Sequence, residues 1–151
     1  MSDLKIDNVE LPATGGTPFS LAAQRGKKVV MYFYPKDDTS GCTVEGQEFT
    51  ALIDDFNRAN AVVVGVSRDD LSSHDKFKAK FGFAFELLSD IDAKVCEQFG
   101  VIKFKNMYGK QVRGIERSTF VFDTHGQLAK AWRGVKAPGH AAEVLAFVQS
   151  I

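Results

Sequence analysis

Cys42 stands where a thiol can do chemistry. Thr39, Ser40 and Gly41 precede it, and Thr43, Val44 and Glu45 follow. Upstream, residues 27–33 (KKVVMYF) form a β-branched and aromatic run of the kind that makes a strand buried on both faces. Pro35 ends its ladder, because proline has no N–H to donate. Downstream, Phe49, Leu52, Ile53 and Phe56 recur at three- and four-residue spacing, which predicts a helix over residues 41–57. Cys42 then falls in the first turn of that helix, where backbone N–H groups lack intrahelical partners and carry partial positive charge. A thiol so placed is biased toward its thiolate, the nucleophilic form. The plainer reading is a small buried cysteine. It suits the polar flanks and the strand-to-helix turn less well.

Other chemistries lack their residues. Two cysteines, Cys42 and Cys96, make no disulfide scaffold and suit a reducing compartment. His74, His125 and His140 show no zinc-ligand spacing with them, so no metal is expected. Neither a Gly-rich phosphate loop nor a dinucleotide fingerprint is present, and no cofactor is expected. Lys+Arg and Asp+Glu both number 19, which removes any global electrostatic case for nucleic acid or an anionic membrane. No apolar run approaches a membrane span, and residues 1–10 are polar and acidic, unlike a signal peptide; a cytoplasmic location is the expectation. With 151 residues, 44% hydrophobic and 25% charged, the chain is read as one domain over residues 1–151 with a substantial core.

The elements that must hold the thiol follow from the pattern. Short extended segments at residues 9–11 and 19–21 flank a Gly-Pro turn and predict an N-terminal hairpin. Residues 61–67 (AVVVGVS) read as a second fully buried strand, parallel to the first across the Cys42 helix. Helix is expected over 71–81 with Gly82 as its stop, a short strand over 85–89, and a short helix over 93–99 closed by Gly100. The basic stretch 101–115 (Lys103, Lys105, Lys110, Arg113) reads as a solvated loop rather than a nucleic-acid patch. Strands over 117–123 and 128–135 form an antiparallel hairpin, and Pro138 suits the first turn of a last helix over 139–150. The order β-α-β-α-β-α-β-β-α implies an α/β fold with a mixed central sheet and helices on both faces.

The spacing Pro35-x-x-x-Thr39-x-x-Cys42 with Thr43-Val44-Glu45 resembles the active-site signature of the peroxiredoxins. Phe33-Tyr34-Pro35-Lys36-Asp37, Glu116-Arg117-Ser118-Thr119-Phe120-Val121-Phe122-Asp123 and Gly139-His140-Ala141 are similar to the Q-type, or bacterioferritin comigratory, branch, with motifs in order over nearly the whole chain. The resemblance implies a thioredoxin-like fold, which the element order also favours. It implies a thiol-dependent peroxidase acting on hydrogen peroxide and organic hydroperoxides, with Cys42 as nucleophile. By the same resemblance Thr39 presents its hydroxyl to the peroxide, Pro35 shields the sulfur, Arg117 lies beside the thiolate, and Glu45 orients Arg117. Taken by themselves, Thr39 is also a candidate N-cap, Glu45 a dipole-complementing glutamate of the first turn, and Arg117 a surface arginine. Trp132 reads as packing, Arg133 as solvent-exposed, and His140 as a capping or structural histidine.

Many Q-type members carry a second, resolving cysteine five residues after the first, where this chain has Gln47; others place it in the next helix, and residues 71–81 contain none. Cys96 is the remaining candidate resolving thiol, but its neighbours Val95 and Phe99 suggest a buried structural role. A one-cysteine cycle is therefore expected, with an external thiol as reductant: glutathione, glutaredoxin or thioredoxin. A Cys42–Cys96 disulfide cycle and a non-turnover redox sensor or holdase are the alternatives. A dithiol oxidoreductase is excluded, because Cys42-Thr43-Val44-Glu45 is no C-x-x-C. A monomer is expected.

Overall fold

The structure, a computed structural model, describes residues 9–151, so most of the acidic stretch at residues 1–10 lies outside the described residues. The first half of the chain comprises β1 (Glu10–Leu11), β2 (Phe19–Ser20), β3 (Lys28–Phe33), α1 (Ser40–Ala51), α2 (Ile53–Arg58), β4 (Ala61–Ser67) and α3 (Leu71–Phe81). The second comprises β5 (Glu86–Ser89), α4 (Lys94–Gln98), β6 (Ile102–Met107), β7 (Lys110–Ile115), β8 (Ser118–Phe122), β9 (Leu128–Arg133) and α5 (His140–Ser150). The central sheet has the order β5-β4-β3-β8-β9. β3, β4 and β5 run parallel, and β8 and β9 add antiparallel to them.

Why the strands read as unbroken apolar runs is visible in their alternation. Val30, Tyr32 and Tyr34 enter one core, while Val29, Met31 and Phe33 enter the other. Phe49 of α1, Phe56 of α2, Phe77 of α3 and Val144 of α5 cover the first face. The second is covered by the β1–β2 hairpin, through Leu11 and Phe19, and by α4 and the residue after it, through Cys96 and Phe99. The Phe49 ring stacks on Tyr32 at 4.7 Å between centroids, which fixes α1 against the sheet. Truncating so buried an aromatic costs about 3–5 kcal/mol. Mixed sheet, helices on both faces and N-terminal hairpin agree with the expected thioredoxin-like arrangement.

Three local expectations need correction. The single helix expected over 41–57 is interrupted at Leu52, whose φ of −103° and ψ of 6° separate α1 from α2. The bend leaves Phe49 and Phe56 in one core, their rings 5.7 Å apart. The solvated loop expected over 101–115 is instead a hairpin of β6 and β7, with Met107 paired to Lys110. Its turn is Tyr108-Gly109, both with positive φ (53° and 79°), as a two-residue type I′ connection requires. Phe104, Tyr108 and Val112 are exposed and the hairpin packs on the core at its root, through Ile102 and Ile115, so its described residues show little of the alternation that announces a strand. Finally, α5 begins at His140, and Pro138 lies in the turn before it rather than in its first turn.

Candidate active site

The site is assembled where β3 ends and α1 begins. Tyr34 N–H still donates to Val66 O at 3.0 Å, extending the β3–β4 pairing as far as Pro35. Asp38, in the left-handed region at φ 58°, then turns the loop toward Thr39. Thr39 occupies the N-cap position of α1 in extended geometry, but its hydroxyl does not cap the helix. It donates instead to Lys36 O at 2.8 Å, leaving the oxygen lone pairs free to accept from a second group. Thr43 Oγ1 donates to Thr39 O at 2.8 Å and fastens this end of the loop to α1. Pro35 is half-buried.

Cys42 is the third helical residue of α1 and is 1% exposed. Arg117, immediately before β8, reaches it from the adjacent strand: Nη2 donates to Cys42 Sγ at 3.5 Å and Nη1 to Glu45 Oε1 at 2.7 Å. The guanidinium thus bridges the thiol and the carboxyl. Cys42 lies in the first turn of α1, whose N–H groups lack intrahelical partners, and a permanent cation faces its sulfur. Glu45 lies one turn along, fully buried, and so is not the first-turn dipole partner considered above. Burial pushes its carboxyl up to about 7, although Arg117 pulls the other way. Its Oε2 is buried without a hydrogen-bond partner. Burial also works against the Arg117 charge, but Glu45 and Cys42 outweigh it and raise the Arg117 pKa.

Gly41, which sequence reasoning does not single out, makes this approach feasible. A Cβ there would lie 2.9 Å from Arg117 Nη2. The signal for it is present only once the position of Arg117 is known.

Of the remaining candidates, Trp132 packs edge-on against His140 and Phe147, each at 5.7 Å between centroids. His140 is buried, its Nε2 2.8 Å from Thr119 Oγ1, and burial lowers its pKa. Arg133 is exposed as expected, with its guanidinium over the Phe120 ring at 5.0 Å. Cys96 is 0% exposed and belongs to the core on the sheet face opposite that of Cys42. Burial and the neighbouring Asp90 carboxylate push its thiol far up. Asp37, His74 and Asp69, which no sequence spacing joins, form a polar cluster below the loop, with one side-chain polar atom of each within 4.8 Å of the others.

Comparison with known proteins agrees with this geometry. The AhpC/TSA family model matches residues 3–131. Peroxiredoxin Bcp of Xanthomonas campestris is 54% identical over 143 residues, covering 95% of this chain and 89% of that protein. Peroxiredoxin Bcp of Bacillus subtilis is 45% identical over 141 residues, covering 93% of this chain and 90% of that protein. The solved structure of X. campestris bacterioferritin comigratory protein, studied for its alkyl peroxide reduction activity, superposes with a TM-score of 0.91 at 53% identity, covering 96% of this chain and 92% of that one. A structure of X. campestris peroxiredoxin Q gives the same score at 54% identity, with the same coverage of both chains. A sulfur at a helix start, bridged by an arginine to a buried glutamate, therefore sits in a chain that belongs to the AhpC/TSA family and to its bacterioferritin comigratory, Q-type peroxiredoxin branch.

Proposed function

We propose that the protein reduces hydrogen peroxide and organic hydroperoxides through Cys42, with an external thiol completing the cycle. The observation that carries this reading is the Arg117 guanidinium held by Glu45 and donating to Cys42 Sγ at 3.5 Å. The Cys42 thiolate attacks the terminal oxygen of ROOH; the S–O bond forms as the O–O bond breaks, giving a sulfenic acid and RO⁻, which takes up a proton to leave as ROH. Arg117 and the N–H groups at the start of α1 stabilise the negative charge as it passes from sulfur to the departing oxygen. Thr39, its proton committed to Lys36 O, accepts from the peroxide O–H and aligns the O–O bond. Pro35 screens the sulfur from bulk water.

The sulfenic acid is then reduced from outside. One thiol condenses with it to a mixed disulfide and water, and a second thiol releases Cys42 as a free thiol. This reading is supported by Cys96 lying in the opposite core, because a disulfide requires Cα atoms within about 7 Å. Glutathione, glutaredoxin and thioredoxin are the reductants that suit it, in a monomer working in a thiol-rich cytoplasm. Among the described residues, no helix is long and apolar enough to cross a membrane.

Intact mass after one equivalent of peroxide tests the cycle. Gain of one oxygen is expected; loss of two hydrogens would replace this cycle with a Cys42–Cys96 disulfide. Cys42→Ser is expected to abolish peroxide consumption, and retained consumption would refute the assignment of the nucleophile.

A further inference from the structure

Below the active-site loop lies a polar cluster that the peroxidase reading leaves unused. Asp37 is buried and accepts three side-chain donors: Tyr34 Oη at 2.6 Å, Ser73 Oγ at 2.8 Å, and His74 Nδ1 at 2.7 Å. On the other side of the ring, His74 Nε2 lies 2.8 Å from Leu88 O. A backbone carbonyl only accepts, so Nε2 carries a proton. An ionised Asp37 can only accept, so opposite the carboxylate Nδ1 carries the other. His74 is 0% exposed. With both nitrogens protonated it is a cation sealed in the interior, with Asp37 as its counter-ion.

We propose that His74 is a positioning residue: a doubly protonated imidazolium that ties Asp37, and with it the loop of residues 35–39, to β5 and α3, so that Thr39 and the first turn of α1 present Cys42 in its reactive geometry. The proposal rests on the peroxidase reading for its effect on rate. The mechanical path is short. Asp37 is two residues before Thr39, and Thr39 is joined to α1 through Thr43. Asp37 N–H donates to Asp69 Oδ2 at 2.9 Å, and Asp69 also accepts from Ser67 Oγ at 2.6 Å, which anchors the loop to the end of β4. At the surface, Lys80 of α3 pairs with Asp38 at 2.9 Å.

The charges around the ring agree with this. Burial alone would lower the His74 pKa; Asp37, the Leu88 carbonyl and Asp69 outweigh it, and the net direction is upward. Tyr34, also beside the ring, is held neutral by burial. The N-terminal end of α3 opposes a cation at this position, and its cap Asp70, bonded to Ser73 N–H, offsets that field. Raised above its unfolded value of about 6.5, His74 contributes its stabilisation fully below that pH and loses it as pH rises through the folded value.

Long-range ¹H–¹⁵N spectra of the wild-type protein at neutral pH read the charge directly, with His74→Gln identifying the signals. Both ring nitrogens are expected in the protonated range; a neutral tautomer, or movement into the metal-ligated range on adding Zn²⁺ alone, would overturn the proposal. Single-turnover oxidation of Cys42 is expected to slow about 10- to 100-fold in His74→Gln, through misplacement of the reacting groups. Backbone amides of residues 35–43 are expected to exchange faster in the same variant, and wild-type rate and protection there would refute the positioning role. Because the tie is lost when His74 gives up its proton, the oxidation rate is expected to fall at alkaline pH; Asp37→Asn keeps the shape and removes the counter-charge, so that fall is expected to move down by about 1–3 pH units. An unmoved limb would refute the pairing, and this variant decides the matter if His74→Gln does not fold. The spectra and exchange need no turnover. A wild-type protein inert to peroxide but showing the imidazolium and the protection would count against the peroxidase reading alone.

Discussion

A guanidinium reaches a sulfur only if nothing stands between them, and the missing side chain of Gly41 leaves that passage open. Alanine at this position would place Cβ 2.9 Å from Arg117 Nη2, the far end of a flexible side chain that can swing aside. Gly41→Ala is therefore expected to slow single-turnover oxidation of Cys42 by about tenfold, on the scale of 1.4 kcal/mol per factor of ten. Its melting temperature is expected to hold or rise, since alanine is favoured over glycine in a helix by up to about 1 kcal/mol. Arg117→Ala removes the donor outright and is expected to cost about 10²- to 10³-fold in the same measurement, as loss of one preorganised donor does. Equal rates for wild type and both variants would take Arg117 out of the site. These residue-scale relations were only partly legible beforehand. Cys42 announces itself through the strand-to-helix turn, but a glycine chosen for what it lets pass depends on a partner 76 positions away.

At the scale of elements, the central sheet decides which thiols can meet. Odd and even residues of β3 feed separate cores, and the two cysteines belong one to each. Cys96→Ser is accordingly expected to leave peroxide consumption with a small-thiol reductant unchanged; loss of turnover, with a Cys42–Cys96 disulfide in peptide mapping, would show that α4 detaches during the cycle. The same alternation explains what reads easily from a sequence. β3 and β4 are buried on both faces and appear as unbroken apolar runs, whereas β6 and β7 have exposed apolar and basic residues on a hairpin and look like a loop. A Tyr108-Gly109 turn carries a weaker hairpin signal than Asn-Gly. The Leu52 break has no proline or glycine to announce it. The pairing of Asp37 with His74 is not legible, because an acid and a histidine 37 positions apart carry no periodic signal until the fold joins them.

At the scale of the whole molecule, Glu45 makes stability depend on pH in an unusual direction. Its carboxyl titrates at about 7 in the folded chain, against 4.5 for an ordinary glutamate, so between those values the folded state holds a proton that the unfolded state has lost. Stability from this group is therefore expected to fall as pH rises from about 4.5 to 7, by on the order of 3 kcal/mol, and to level off above. Denaturant titrations of wild type and Glu45→Gln across that range check it: their stability difference should change with pH in that sense, and a constant difference would mean that Glu45 stays ionised throughout.

The sheet that keeps the two sulfurs apart also sets how the protein ages. On the one-thiol cycle proposed above, an oxidised Cys42 has no neighbour to rescue it, so each molecule waits for a reductant to arrive by diffusion while further peroxide competes for the same sulfur. The number of rounds a molecule survives before irreversible over-oxidation is then fixed by the ratio of thiol to peroxide around it, and falls steeply in a burst of oxidant.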